Sequence, residues 1–198
     1  MLELWLIRHG KTEGNMLGRY IGTTDAPLCP EGRKTLSKGV YPVPEAVFTS
    51  PMKRAIETAE ILFPELPSHS IEDLSECDFG EFENKNYKEL EGNLQYQAWI
   101  DSEGRLPFPG GESREAFQKR TCRGFERVVN QCLKEDIDRA ALVVHGGTIM
   151  NIMEVFAQQE RSFYDWHVPN GGGYGLILDV YQWRKGRRCL KVKEVVKP

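Results

Sequence analysis

No C-x-x-C pair occurs in this sequence, and its five cysteines (Cys29, Cys77, Cys122, Cys132 and Cys189) are odd in number and widely spaced. That spacing argues against a structural zinc site or a disulfide framework and predicts reduced thiols in a cytoplasmic protein. No apolar stretch approaches the length of a membrane span. The opening MLELWLIRHG is apolar for only a few residues before Arg8. It lacks a basic n-region, a long h-region and a small-residue cleavage site, so no secretory leader is expected. The net charge of −3 offers no bulk attraction to nucleic acid or to a membrane. Internal repeats, low-complexity segments and the G-x-x-x-x-G-K-[ST] phosphate loop are all missing. No plausible metal cluster is offered either, and no metal or cofactor is expected. An anionic ligand would therefore need a locally basic pocket, built from paired arginines.

What is present suits one domain with a real core, spanning residues 1–198: 40% hydrophobic and 28% charged residues. Leu2 to Ile7, Glu45 to Ser50 and Ala140 to Val144 read as buried strands. Pro51 is a favourable first helical residue, and Met52, Ala55, Ile56, Ala59, Leu62 and Phe63 then recur at helical spacing until Pro64 ends the run. Ser113 can cap a long helix whose inner face carries Phe117, Phe125, Val128, Val129, Cys132 and Leu133. Ile149, Ile152, Met153 and Phe156 mark the inner face of a helix after the third strand. Tyr174 to Tyr181 and Cys189 to Val196 predict a terminal hairpin turning at Lys185-Gly186. Three strands, each followed by a helix, predict an α/β domain with a mostly parallel sheet. Such sheets bind ligands at the carboxyl ends of their strands, and Arg8-His9, Ser50 and His145 all fall there.

The residues at these ends share one chemistry. In Arg8-His9-Gly10-Lys11-Thr12-Glu13-Gly14-Asn15, a histidine leaves a buried strand. Gly10 is expected to remove bulk where a phosphate approaches, and Arg8 supplies a permanent cation able to bind phosphate oxygens in two-pronged fashion. His9 alone would read as a packed strand-end histidine; with Arg8, Gly10, Thr12 and Asn15 in register the functional reading is preferred. In Ser50-Pro51-Met52-Lys53-Arg54-Ala55, Arg54 stands in the first helical turn, off the apolar stripe. A cation is unfavourable there unless an anion is near. Lys53 reads as a surface side chain. Val144-His145-Gly146-Gly147-Thr148 repeats the first pattern, with backbone N–H groups open to an anion. Cleaving a phosphate ester also needs a proton donor for the leaving oxygen. Periodicity leaves Glu72, Asp73, Glu76, Asp78, Glu81 and Glu83 all open for that role. His69 reads as a surface histidine, and His167 could border the site or simply turn a loop.

RHGKTEGN, SPMKRAIETA, ECDFGEFEN and VVHGGT, in this order, resemble the four signatures of the histidine phosphatase (phosphoglycerate mutase-like) superfamily, and the likeness spans most of the chain. The resemblance implies a three-layer α/β/α sandwich with a mostly parallel mixed sheet. It implies His9 as nucleophile, Glu76 as proton donor, Arg8, Arg54 and His145 as a phosphate pocket, and Asn15 at its edge. The substrate implied is a small phosphate ester. Phe82 and Asn84 replace the family's usual tryptophan and glycine, which bears on substrate shape. A small cap at about 81–112 carries Tyr87, Tyr96, Trp99 and Phe108 and runs into Pro109-Gly110-Gly111-Glu112-Ser113. Cap, turn and length look like the α-ribazole-5′-phosphate phosphatases of cobalamin synthesis, whose flat leaving group the aromatics could stack. A broad-specificity phosphatase shares most of these features. A phosphoglycerate mutase ranks lower, because the basic, proline-rich insert of mutases is replaced by Asn84-Lys85-Asn86-Tyr87. A non-catalytic phosphate-binding module should have lost the nucleophile or the acid, and both are present.

Overall fold

The computed structural model describes residues 1–36 and 40–197. The strands are β1 (Leu2–Arg8), β2 (Ala46–Thr49), β3 (Ser68–Ser70), β4 (Arg139–Val144), β5 (Gly173–Leu178) and β6 (Leu190–Val196). The helices are α1 (Glu13–Met16), α2 (Pro30–Lys34), α3 (Lys53–Leu62), α4 (Leu94–Asp101), α5 (Arg114–Lys134), α6 (Gly146–Phe156) and α7 (Val180–Arg184). Among the described residues the strands form one mixed sheet in the order β3-β2-β4-β1-β5-β6. The first four of these run parallel; β5 and β6 are antiparallel to their neighbours.

Side-chain alternation along the central strands explains the layering. Leu2, Leu4 and Leu6 of β1 and Ala140, Leu142 and Val144 of β4 point to one face, where Phe125, Val128 and Val129 of α5 and Ile149, Ile152 and Met153 of α6 cover them. Trp5, Ile7, Ala141 and Val143 point to the other face, under Ala55, Ala59 and Leu62 of α3. Both faces are thus buried, as a parallel sheet requires, and the result is a three-layer α/β/α arrangement.

Ser113 caps α5 as expected, its hydroxyl accepting from Ala116 N at 3.1 Å. Elsewhere the sequence reading needs correction. The helix after β2 starts at Lys53 with Met52 as its cap, so Pro51 lies before it. Arg54 and Thr58 are buried on that helix together with Ala55 and Ala59, so Arg54 belongs to the inner face. The terminal antiparallel pair exists, but its first strand stops at Leu178. Asp179 then caps α7 by accepting from Gln182 N at 3.1 Å, and a helical turn fills the place assigned to hairpin.

Candidate active site

β1 and β4 are parallel neighbours in register, Arg8 opposite Val144. The residues that follow, His9 and His145, therefore emerge side by side, with ring centroids 5.1 Å apart. Both imidazoles are buried. The Nδ1 of His9 lies 2.6 Å from its neighbour's carbonyl, Gly10 O. A carbonyl only accepts, so Nδ1 carries the proton and Nε2 keeps its lone pair. Arg54 Nε donates to Nδ1 of His145 at 3.3 Å, which leaves the His145 proton on Nε2, 2.7 Å from Ser50 Oγ. Burial, then the Arg54 and Arg8 cations, hold His9 well below the usual histidine range. Burial, Arg54, His9 and Arg8 do the same to His145.

A cavity of about 260 Å³ opens over His9. Arg8, Asn15, Glu76, Gly146 and Gly147 form its floor and sides. Arg8 lies flat on Gly146, where a Cβ would come within 3.3 Å of Cζ and Nε. One Arg8 Nη1 donates to Val168 O at 2.8 Å and meets His167 Nε2 at 3.0 Å. Its Nε is buried and finds no partner among the described residues. Asn15 Oδ1 is engaged by Thr12 and Asn170, which leaves its amide N–H₂ as a donor. Glu76 accepts from its own neighbour Cys77 N and from Gly147 N, both at 3.0 Å. Burial raises its pKa against the pull of those two N–H groups and of Arg54 and Arg8.

Not every residue singled out in the sequence reaches the cavity. Arg54 and His145 are fully buried and do not line it. Arg54 is fully buried and donates to Thr24 O at 2.7 Å and Gly22 O at 2.8 Å. Gly10 serves packing rather than ligand approach: a Cβ there would meet Leu36, Gly32 O and Leu28 between 3.0 and 3.2 Å. His69 is exposed, as expected, and Lys53 pairs with Asp25 at the surface. His167 borders the cavity beside Arg8. Of the cap aromatics, Trp99 and Phe108 line the cavity, whereas Tyr87 and Tyr96 do not. Tyr96 stacks on Trp99 with centroids 6.2 Å apart, and Tyr87 is exposed. Phe79, within the ECDFGEFEN signature, also lines it, as do Tyr20, Phe163, Tyr164, Arg19 and Arg114, none of which carried a motif that set it apart in the sequence.

Two buried neutral histidines should make folding sensitive to acid. Their folded pKa values lie below the ordinary 6.5, so the unfolded chain takes up protons that the native rings refuse. Stability is then full above about pH 6.5 and is lost as pH falls below it. Glu76, with a raised pKa, works in the opposite direction, but it is one group against two. The expected net loss is on the order of 1 to 2 kcal/mol per pH unit just below pH 6.5. Urea midpoints between pH 7 and 5.5 measure it, and a midpoint that rises on acidification contradicts the assignment of neutral rings.

Residues 4–188 match the histidine phosphatase superfamily (branch 1). The adenosylcobalamin/alpha-ribazole phosphatase of Salmonella typhimurium is 30% identical, with all of both chains covered. The crystal structure of the alpha-ribazole phosphatase from Shigella flexneri superposes with a TM-score of 0.78 at 27% identity, over 96% of this chain and 95% of that one. A phosphoglycerate mutase from Thermus thermophilus superposes with a TM-score of 0.68 at 31% identity, over 96% and 98%. The chain belongs to branch 1 of the histidine phosphatase superfamily, and it is a phosphatase.

Proposed function

We propose that the cavity over His9 hydrolyses phosphate monoesters in two steps through a phosphohistidine. The observation that carries this is the fixed tautomer of His9: Nδ1–H is held by Gly10 O, so the lone pair of Nε2 is left for phosphorus. In the first step that lone pair forms an N–P bond while the P–O bond to the leaving group breaks. Protonated Glu76 gives its proton to the leaving oxygen. In the second step a water oxygen bonds phosphorus, ionised Glu76 takes its proton, the N–P bond breaks and phosphate departs. Arg8 Nε and the Asn15 amide donate to the phosphoryl oxygens. Arg54, one layer deeper, adds positive charge beneath the phosphoryl group, and neutral His145, whose Nδ1 accepts from Arg54, holds the floor in place. Five cysteines, all free, fit a reducing cytoplasmic setting.

The substrate we propose is α-ribazole-5′-phosphate, with residues 81–112 acting as a cap over its leaving group. Two features of the chamber support this. Its walls are largely aromatic, with Tyr20, Phe79, Trp99 and Phe108 against Phe163 and Tyr164, and suit a flat ring. Its two outer arginines are already neutralised. Arg19 pairs with Glu89 at 2.7 Å and Arg114 with Glu154 at 2.8 Å. A neutral leaving group meets donors there, whereas an anionic one such as phosphoglycerate must compete with a resident carboxylate. The relatives named alpha-ribazole phosphatase point the same way.

A comparison of kcat/KM for α-ribazole phosphate, 3-phosphoglycerate, a fructose bisphosphate and a nucleoside monophosphate tests the assignment. The expected preference for α-ribazole phosphate is about tenfold or more, with rates unchanged by EDTA. A clear preference for another ester refutes the substrate and leaves the His9 chemistry standing. Loss on chelation, restored by a divalent ion, contradicts the mechanism.

A further inference from the structure

Glu76 has no regular element of its own. It stands on an irregular stretch between the short 3-10 turns Glu72–Leu74 and Gly80–Phe82, so no ladder of backbone bonds fixes where its carboxyl points. Cys77 N and Gly147 N meet the carboxyl itself and Thr148 Oγ1 meets Leu74 O and Ser75 O, but one side chain makes most of the bonds that hold the stretch. Arg120, from the second turn of α5, reaches under this stretch. Its Nη1 donates to Asp73 O at 3.1 Å and Ser75 O at 3.0 Å, and its Nη2 donates to the carbonyl of Glu76 itself at 3.2 Å. The other edge of the guanidinium grips Glu112, Nε to Oε1 at 2.9 Å and Nη2 to Oε2 at 2.8 Å. A guanidinium has five N–H groups in a rigid plane, and here all five have an acceptor. Glu112 in turn accepts from Asp78 N at 3.3 Å, and its own N–H donates to Asp78 O at 2.9 Å. The segment carrying Glu76 is therefore pinned on both sides of it, to α5 and to the turn that leads into α5.

We propose that Arg120, oriented by Glu112, is a positioning residue that aims the Glu76 carboxyl at the leaving oxygen. This rests on Glu76 being the proton donor. Arg120 does not line the cavity and does not touch substrate. Its effect acts through the placement of one carboxyl. Lysine cannot replace it, because an ammonium has three donors and no planar fork to hold three carbonyls and a carboxylate together.

The test compares kcat/KM for an alkyl phosphate and for p-nitrophenyl phosphate in wild type, Glu76→Gln, Arg120→Lys and Glu112→Gln. p-Nitrophenolate leaves without a proton, so in the P–O cleavage step a misplaced acid harms only the alkyl ester. Hydrolysis of the phosphohistidine, where Glu76 acts as base, is common to both esters and does not enter kcat/KM. Arg120→Lys should lower kcat/KM for the alkyl ester on the order of 10- to 100-fold and for the aryl ester by less than about threefold. Glu112→Gln, which keeps the shape of the side chain, should move the ratio in the same direction by a smaller factor. If Glu76→Gln shifts the ratio but neither clamp variant does, or if alkyl and aryl rates fall together in the clamp variants, the positioning role is wrong and the Glu76 reading survives. An unchanged ratio in Glu76→Gln overturns both. Should Arg120→Lys fail to fold, the ratio in Glu112→Gln decides.

Discussion

His9→Ala is expected to abolish turnover, by on the order of 10⁴-fold or more, because it removes the covalent step and not merely a binding contact. Little else in the cavity can replace it. His145 has its Nδ1 engaged by Arg54 Nε and its Nε2–H directed at Ser50, and it does not line the cavity. Cys77 lines the cavity, but burial pushes its thiol well above the ordinary range, so little thiolate forms near neutral pH. His167 Nε2 is engaged by Arg8. Substrate affinity should survive better than rate, since Arg8 and Asn15 remain. The direct measurement is capture of the intermediate: a rapid quench without acid, followed by mapping of the labelled peptide, should place the phosphoryl group on His9. Label on another residue, or activity in His9→Ala near that of wild type, would sink the mechanism. The position of the label is informative as well. Because Nδ1 is tied to Gly10 O, the phosphoryl group should sit on Nε2.

The parts of this site that follow a strand were readable from the sequence; those that arrive from loops were not. Leu2 to Ile7 and Ala140 to Val144 are short, continuous apolar runs, the mark of strands covered on both faces, so the histidines that follow them could be placed at one rim. Arg54 could be tied to that rim but not to its depth. Only the fold shows that the carbonyls of Gly22 and Thr24 give its guanidinium a buried seat. β3 is three residues at the sheet edge with exposed His69 and Ser70, and it carries no alternation to detect. Helix α4 buries none of its residues, so it has no apolar stripe and its period is invisible. Arg19, His167 and the α5 residues Arg114 and Arg120 come from three segments far apart in the chain, and their meeting around the cavity and under Glu76 is a matter of tertiary packing alone.

Glu76→Gln should leave the nucleophile intact and remove the proton needed for P–O cleavage, together with the base for the later hydrolysis of the phosphohistidine. The expected outcome is a loss in kcat/KM on the order of 10²- to 10⁴-fold for alkyl phosphates and a much smaller loss for p-nitrophenyl phosphate. The amide can still accept from Cys77 N and Gly147 N through its oxygen, so the side chain can keep its place in the cavity. The pH dependence sharpens the prediction. Burial raises the folded pKa of Glu76 above the ordinary 4.5, although two backbone N–H groups and two arginines oppose the shift. The acid form therefore persists to higher pH than an exposed glutamate allows. Activity on an alkyl ester should fall as pH rises through that raised value, while His9, already neutral well below pH 6.5, contributes no gain in the same range. The aryl ester, which needs no proton, should show a weaker fall on the alkaline side, and in Glu76→Gln the fall owed to this carboxyl should vanish for both esters. Values of kcat/KM for the two esters across pH 5 to 9 in both proteins measure this. If Glu76→Gln slows both esters by the same factor and keeps the alkaline limb, another carboxylate supplies the proton. Asp78 is then the first to test, since it lies two residues on and already donates its backbone N–H to the Glu112 that steadies this segment.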